Sequence, residues 1–170
     1  MDIILSIIMV VILIVTIIIL VIKKNNFIPK EEKIQYTPQN SVLTIFEMLL
    51  LDEINGHRRS MGISQIKPER LCRDLAYNHT KDMINEGCVS YDNSIERKYE
   101  LFRRESILCE ESVSYGYSTA KSFFIAYIKN EKHRKLIESH KFTHIGVRAL
   151  QDTNKKYYNT LIFCEFAPIH

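Results

Sequence analysis

Residues 110–137 read EESVSYGYSTAKSFFIAYIKNEKHRKLI, and how this stretch folds decides the architecture of the chain. EESVSYG has the pattern of a short strand. Ser118 or Thr119 then caps a helix over TAKSFFIAYIKN, with Phe123, Phe124, Tyr127 and Ile128 on its buried side. His133 follows, with His140 and His144 soon after it, so a metal or catalytic trio has to be considered. THIGVRAL, residues 143–150, alternates and is rich in branched side chains, which marks it as a strand. Spacings of seven and four align side chains on a helix only. The three histidines are therefore read as separate, with His140 in a turn.

Working outward, KYYNTLIFCEFA repeats the strand pattern after the polar break QDTNKK, so the last two strands form a hairpin. Upstream, residues 94–104 carry a weaker helical pattern. PERLCRDLAYNHTKDMINEG opens with Pro68 at a first-turn position and stops at Gly87. On that helix Leu71, Leu75, His79 and Met83 recur every four residues on one stripe. Residues 41–59 form a first helix through Val42, Ile45, Phe46, Leu49, Leu50 and Ile54, ended by NGHRRSMG. Helices first and antiparallel strands late predict an α+β domain in which helices cover a small sheet.

The chain has 170 residues, enough for one globular domain and an attachment. We divide it into an anchor at 1–24, a tether at 25–40 and the domain at 41–170. From Ile3 to Ile22 only Ser6 and Thr16 interrupt an apolar run whose helix would rise about 30 Å, the thickness of a bilayer core. This predicts a single uncleaved transmembrane helix. The competing reading is a cleavable signal peptide, but its apolar core usually has about 7–15 residues and small residues follow it. Here KKNNF follows.

Lys23 and Lys24 after the span favour a cytoplasmic domain, although large domains are often translocated regardless of nearby charge. Cys72, Cys88, Cys109 and Cys164 form an even set without CxxC spacing, which suits two disulfides in an oxidising compartment better than a zinc site. The alternative is four reduced, mostly buried thiols. An extracytoplasmic domain is the expectation taken. Setting aside Asp2, 23 basic residues stand against 19 acidic ones, a dispersed +4 that offers nucleic acid no platform.

Four segments in order, LLDEINGHRRSMGISQI, LAYNHTKDMINEGCVSY, the 110–137 stretch and FTHIGVRA, resemble the CAP superfamily of cysteine-rich secretory, venom antigen and pathogenesis-related proteins. The likeness is to its short bacterial-type members, with motifs LLNxxRxxxGLxxL, LxxxAxxHxxDMxxxGxFSH, GENIAYGxxSAxxxxxxWxxSxGHRxNIL and FTEIGVGV. It covers about residues 43–166 and implies a CAP-type α-β-α sandwich, also called an SCP domain.

The resemblance implies a cleft built around two histidines and two acidic residues. The histidine of FSH is replaced here by Tyr91, the Glu of GEN matches Glu111, and the histidine of GHR matches His133. Glu131 and His144 are accessory candidates, His144 standing where FTEIG has its acidic residue. A zinc site needs about three protein ligands, and a neutral phenol with a pKa near 10 is a poor substitute for imidazole. No metal and no cofactor are expected. Ser90, Ser112 and Ser114 lie near the motifs but not in a nucleophile-elbow pattern.

The function implied is a membrane-anchored binding or interaction module for a lipid, sterol or protein ligand, more readily than an enzyme. The alternative is a hydrolase or metal-dependent enzyme with His133 as base, oriented by Glu111. Four cysteines allow three pairings and the sequence does not choose among them; because Cys88 and Cys109 flank the cleft motifs, a Cys88–Cys109 bridge leaving Cys72 with Cys164 is one hypothesis. His79 is read as a hydrogen-bonded core histidine, and Asp82 and Met83 as helix packing. The sequon Asn78 to Thr80 lies mid-helix beside the buried stripe and is read as unoccupied.

Overall fold

The computed structural model describes residue 9, residues 13–17 and residues 42–167. The chain divides into two compact units, Met1–Lys33 and Ile34–His170. In the first unit, residues 9 and 13–17 are helical; the rest of the expected span from Ile3 to Ile22 lies outside the described residues, as does the tether. Among the described residues no helix is long and apolar enough to cross a membrane.

The first element described in the second unit is α1, Ile45–Ser60. Thr44 caps it reciprocally with Glu47: the Glu47 amide donates to Thr44 Oγ1 at 3.2 Å, and the Thr44 amide donates to Glu47 Oε2 at 2.8 Å. Phe46, Leu50 and Ile54 point inward, whereas Val42, Ile45 and Leu49 are exposed. The predicted apolar stripe is therefore only half buried. Then come β1 (Lys67–Pro68), α2 (Arg70–Glu86), α3 (Ser94–Phe102) and β2 (Ser106–Tyr117). The chain continues through α4 (Ala120–Lys129), α5 (Glu131–Ile137), β3 (His144–Gln151) and β4 (Tyr157–Phe166).

One expectation is corrected at Pro68. It belongs to β1, facing Ile145 of β3, and Glu69 caps α2 instead by accepting from the Cys72 amide at 3.2 Å. Proline lacks an amide, which a two-residue edge strand tolerates. The strands order as β1-β3-β4-β2, with β1 parallel to β3 and the β3/β4 and β4/β2 pairs antiparallel.

Alternation along each strand separates two faces. On one, Leu161 and Phe163 of β4 meet Phe46, Leu50 and Ile54 of α1 and Phe123 and Tyr127 of α4. On the other, Ile162 and Cys164 meet Cys72, Leu75 and Ala76 of α2 and Leu101 of α3. Helices thus cover both sides, the α-β-α arrangement expected.

Buried polar side chains fix the loops. Arg58, 1% exposed, donates to the carbonyls of Ser64, Ile137, Ser139 and Phe142 and so ties α1 to the turn before β3. Asn55 exchanges two hydrogen bonds with the Ile66 backbone, at 2.8 and 3.0 Å. Beyond the two residues of β1, β3 has no strand on its outer edge among the described residues, and Glu47 serves that edge: its carboxylate accepts the Ala149 amide at 3.0 Å and pairs with Arg148 at 3.1 Å. Gly146 is required by close approach, since a side chain there would overlap the backbone of Cys72 and Arg73 in α2.

The cysteine pairing hypothesised from the motifs is overturned. Cys109 and Cys164 are opposite residues of β2 and β4 and form the disulfide; Cys72 is a buried thiol and Cys88 an exposed one. Strand register, which no cysteine count contains, decides the pairing.

Candidate functional site

The family-matched residues gather around β2. Its alternation sends Cys109, Glu111 and Val113 toward α2 and α3, and Ser112 and Ser114 toward α4. Glu111 is therefore built into one face of the strand. The residues around His133 are built into the other.

Glu111 is buried and fully engaged. Arg97 of α3 holds it with two parallel bonds, Nε to Oε2 at 2.8 Å and Nη2 to Oε1 at 2.7 Å. The remaining Arg97 nitrogen, Nη1, donates to the Asp92 carbonyl at 2.7 Å. His79 of α2, buried as expected, lies with Nε2 2.9 Å from the Ser90 carbonyl and 3.5 Å from Glu111 Oε1. Because a carbonyl can only accept, Nε2 carries a proton and donates to it. Together Arg97 and His79 bind the carboxylate and two carbonyls of the 88–93 turn into one network.

Arg97 was not singled out by the sequence. On α3, Ile95, Tyr99 and Phe102 repeat at helical spacing and would be taken for the buried stripe, yet they are exposed while Arg97 and Leu101 are buried. The usable signal was an arginine four residues before a leucine on the opposite face. Only a partner carboxylate fourteen residues on gives it meaning.

On the other face, the His133 ring stacks on Tyr127 with centroids 4.2 Å apart and an interplanar angle of 27°. Asn130 caps α5 by accepting from the Lys132 and His133 amides. Burial, and then the charge of Lys132, lower the His133 pKa below its ordinary 6.5, so the ring is neutral at pH 7. The Tyr127 hydroxyl accepts from Ser112 Oγ at 3.1 Å and donates to Ser114 Oγ at 3.3 Å, and burial pushes its phenol up. Tyr91, half exposed in the turn after α2, has the Lys132 ammonium 5.6 Å from its ring centroid. That contact links the turn after α2 to the first turn of α5.

Glu131 is exposed and pairs with Lys135 at 2.7 Å, away from Glu111. His144 bonds the Thr143 hydroxyl at 2.8 Å and meets the Phe166 ring edge-on. In the sequon Asn78 is exposed, whereas Thr80 is buried, with its hydroxyl bonded to Ala76 O and Thr160 Oγ1.

These residues do not fit a metal. Tyr91 supplies a phenol in place of an imidazole, both Glu111 oxygens are occupied by Arg97, and His133 stands with Tyr127 on the opposite face of β2 from Glu111. Among the described residues no group of three or more His, Cys, Asp or Glu side chains could hold an ion. Nor do Glu111 and His133 touch, so the carboxylate cannot orient the imidazole as a base. A surface hollow of ≈ 440 Å³ lies elsewhere, along α1 against Phe124 with Leu49, Gly56 and His57 in its wall.

Known proteins share this architecture. The family model described as Cysteine-rich secretory protein family matches residues 51–166. The "Uncharacterized membrane protein YlbC" of Bacillus subtilis (strain 168) is 23% identical over 121 residues, which are 69% of this chain and 34% of that protein. This chain thus spans about a third of that relative. An outer surface protein from Borrelia burgdorferi superimposes with a TM-score of 0.66 at 14% identity, over 74% of this chain and 97% of that one. An extracellular protein containing a SCP domain from Bacillus anthracis gives 0.62 at 20% identity, over 70% of this chain and 40% of that one. Likenesses this remote in sequence show the fold alone. The family model, matching well over half of the 170 residues, shows more: the chain belongs to the CAP, or cysteine-rich secretory protein, family.

Proposed function

We propose that the protein is a membrane-anchored CAP domain that works as a non-enzymatic binding module, with its domain on the extracytoplasmic side. The observation that carries this reading is the bidentate Arg97–Glu111 pair, which leaves the one family-matched carboxylate neither a free base nor a free ligand. The anchor rests on the apolar run from Ile3 to Ile22 and on the name of the Bacillus subtilis relative. The outer location draws support from the Cys109–Cys164 disulfide and from the surface and extracellular neighbours. A lipid, sterol or protein ligand follows from the family resemblance.

Native mass spectrometry of the full chain, released from detergent without added metal or chelator, tests the reading. The expected spectrum shows no zinc and carries a lipid-sized adduct that survives His133→Ala. One zinc per chain overturns it, as does a hydrolytic activity of the purified chain that His133→Ala abolishes.

A further inference from the structure

Three of the four cysteines meet in one place. Cys109 of β2 and Cys164 of β4 form the disulfide, and the Cys72 sulfur of α2 lies 3.5 Å from the Cys164 sulfur. All three are buried, packed with Leu75, Ala76, Leu101 and Ile162. The approach is enforced by the backbone, because Gly146 of β3 lets the α2 chain at Cys72 and Arg73 settle directly on the sheet. A thiol held against a disulfide sulfur is the starting geometry for exchange.

We infer that Cys164 is a shared sulfur, whose disulfide partner alternates between Cys109 on β2 and Cys72 on α2. The step balances without an outside oxidant or reductant. The Cys72 thiol gives up its proton, and the thiolate attacks Cys164 Sγ. A Cys72–Cys164 bond forms as the Cys109–Cys164 bond breaks, and Cys109 leaves as a thiolate that takes up a proton. One disulfide and one thiol are present before and after.

The two isomers are close to balanced in chain entropy. The present bridge closes a separation of 55 residues and the alternative one of 92, a difference of about twofold in loop-closure probability by the three-halves power law. What changes is the element that is stapled. In one isomer the covalent tie joins β2 to β4; in the other it joins α2 to β4 and releases the strand position two residues before Glu111. Burial, and then the Glu69 carboxylate, push the Cys72 thiol up, which slows exchange in the closed fold and makes it accelerate with alkali.

The test uses the full chain carrying Cys88→Ser, so that the exposed thiol cannot compete. Oxidised protein is held at about pH 7 and about pH 9, quenched with acid at intervals and mapped as non-reduced peptides. A Cys72–Cys164 peptide is expected to grow in, at a rate rising about tenfold per pH unit with the thiolate fraction. The same background with Cys72→Ser should show Cys109–Cys164 alone. In a Cys109→Ser chain oxidised under the same conditions, Cys72–Cys164 is expected as the main species. If wild-type sulfurs never yield that peptide at either pH, the inference is overturned, whether or not the Cys109→Ser chain folds. Free Cys72 and Cys164 in a folded Cys109→Ser chain overturn it as well.

Discussion

Glu47 and Glu111 are both buried carboxylates clasped by an arginine from another element, yet they serve different ends. Glu47 joins the first turn of α1 to the open edge of β3, with Arg148 at 3.1 Å, the Ala149 amide at 3.0 Å and its own helix cap. Glu111 matches the Glu of the family's GEN motif, and Arg97 and His79 tie it to the carbonyls of Asp92 and Ser90. The first pair builds the domain. The second fills a place where the family resemblance would put chemistry, using the same physical interaction. Burial and ion pairing alone thus do not distinguish scaffold from site; what the other bonds of each carboxylate connect does.

The strongest way to break this comparison is at Glu47. Glu47→Ala leaves Arg148 without its buried carboxylate and the Ala149 amide without an acceptor, so urea unfolding should show a loss of about 3–5 kcal/mol. A loss below about 1 kcal/mol would reduce this pair to an ornament of the edge.

Arg97→Ala should cost less, about 2–3 kcal/mol, because its network borders the surface, and amide exchange should quicken at residues 90–97. The same change sharpens the account of the cleft. Tyr91→His should take up no zinc in a metal assay, either alone or with Arg97→Ala, since Tyr127 still holds His133 on the other face of β2. Zinc on the single variant would show that Arg97 does not disable the carboxylate.

Gly146→Ala strikes neither carboxylate but the seat of α2. It should cost about 1–3 kcal/mol by forcing the helix from β3, and it should slow the growth of the Cys72–Cys164 peptide.

The smallest effect belongs to His133. Its folded pKa lies below the ordinary 6.5, so the unfolded chain takes up the proton first as pH falls. This contribution is fully present above pH 6.5, is lost as pH falls from there toward the folded value, and is flat below it. His144, lowered mainly by burial, acts in the same direction. His133→Gln should therefore shrink the drop in urea midpoint between about pH 7.5 and pH 5.5. An unchanged drop would assign the acid sensitivity elsewhere.

Much of the architecture was legible in the sequence because local patterns agreed with the fold. The alternation of THIGVRAL and KYYNTLIFCEFA gave β3 and β4, and Gly87 ends α2 in the left-handed conformation that favours glycine. Where the sequence misled, the cause was a contact between distant residues. Pro68 looked like a helix start because β1 has too few residues to show a period. The disulfide needed the β2/β4 register, which places Cys109 opposite Cys164. Tyr91, Glu111 and His133 could be matched to the family's motifs, but nothing local reveals that β2 sends Glu111 to one face while Tyr127 holds His133 on the other. Arg97 stayed hidden among four arginines between residues 97 and 134, and only its bonds distinguish it.

The bond from Glu47 to the Ala149 amide also spans 102 positions of chain. As a chain emerges from its N-terminus, α1 is made early and must wait for the hairpin made nearly last. Until then Phe46, Leu50 and Ile54 have no sheet to cover them, and an edge-capping carboxylate has no edge. On the chain as it is made, α1 thus keeps its sheet-facing side and its edge-capping carboxylate without those partners until β3 and β4 arrive.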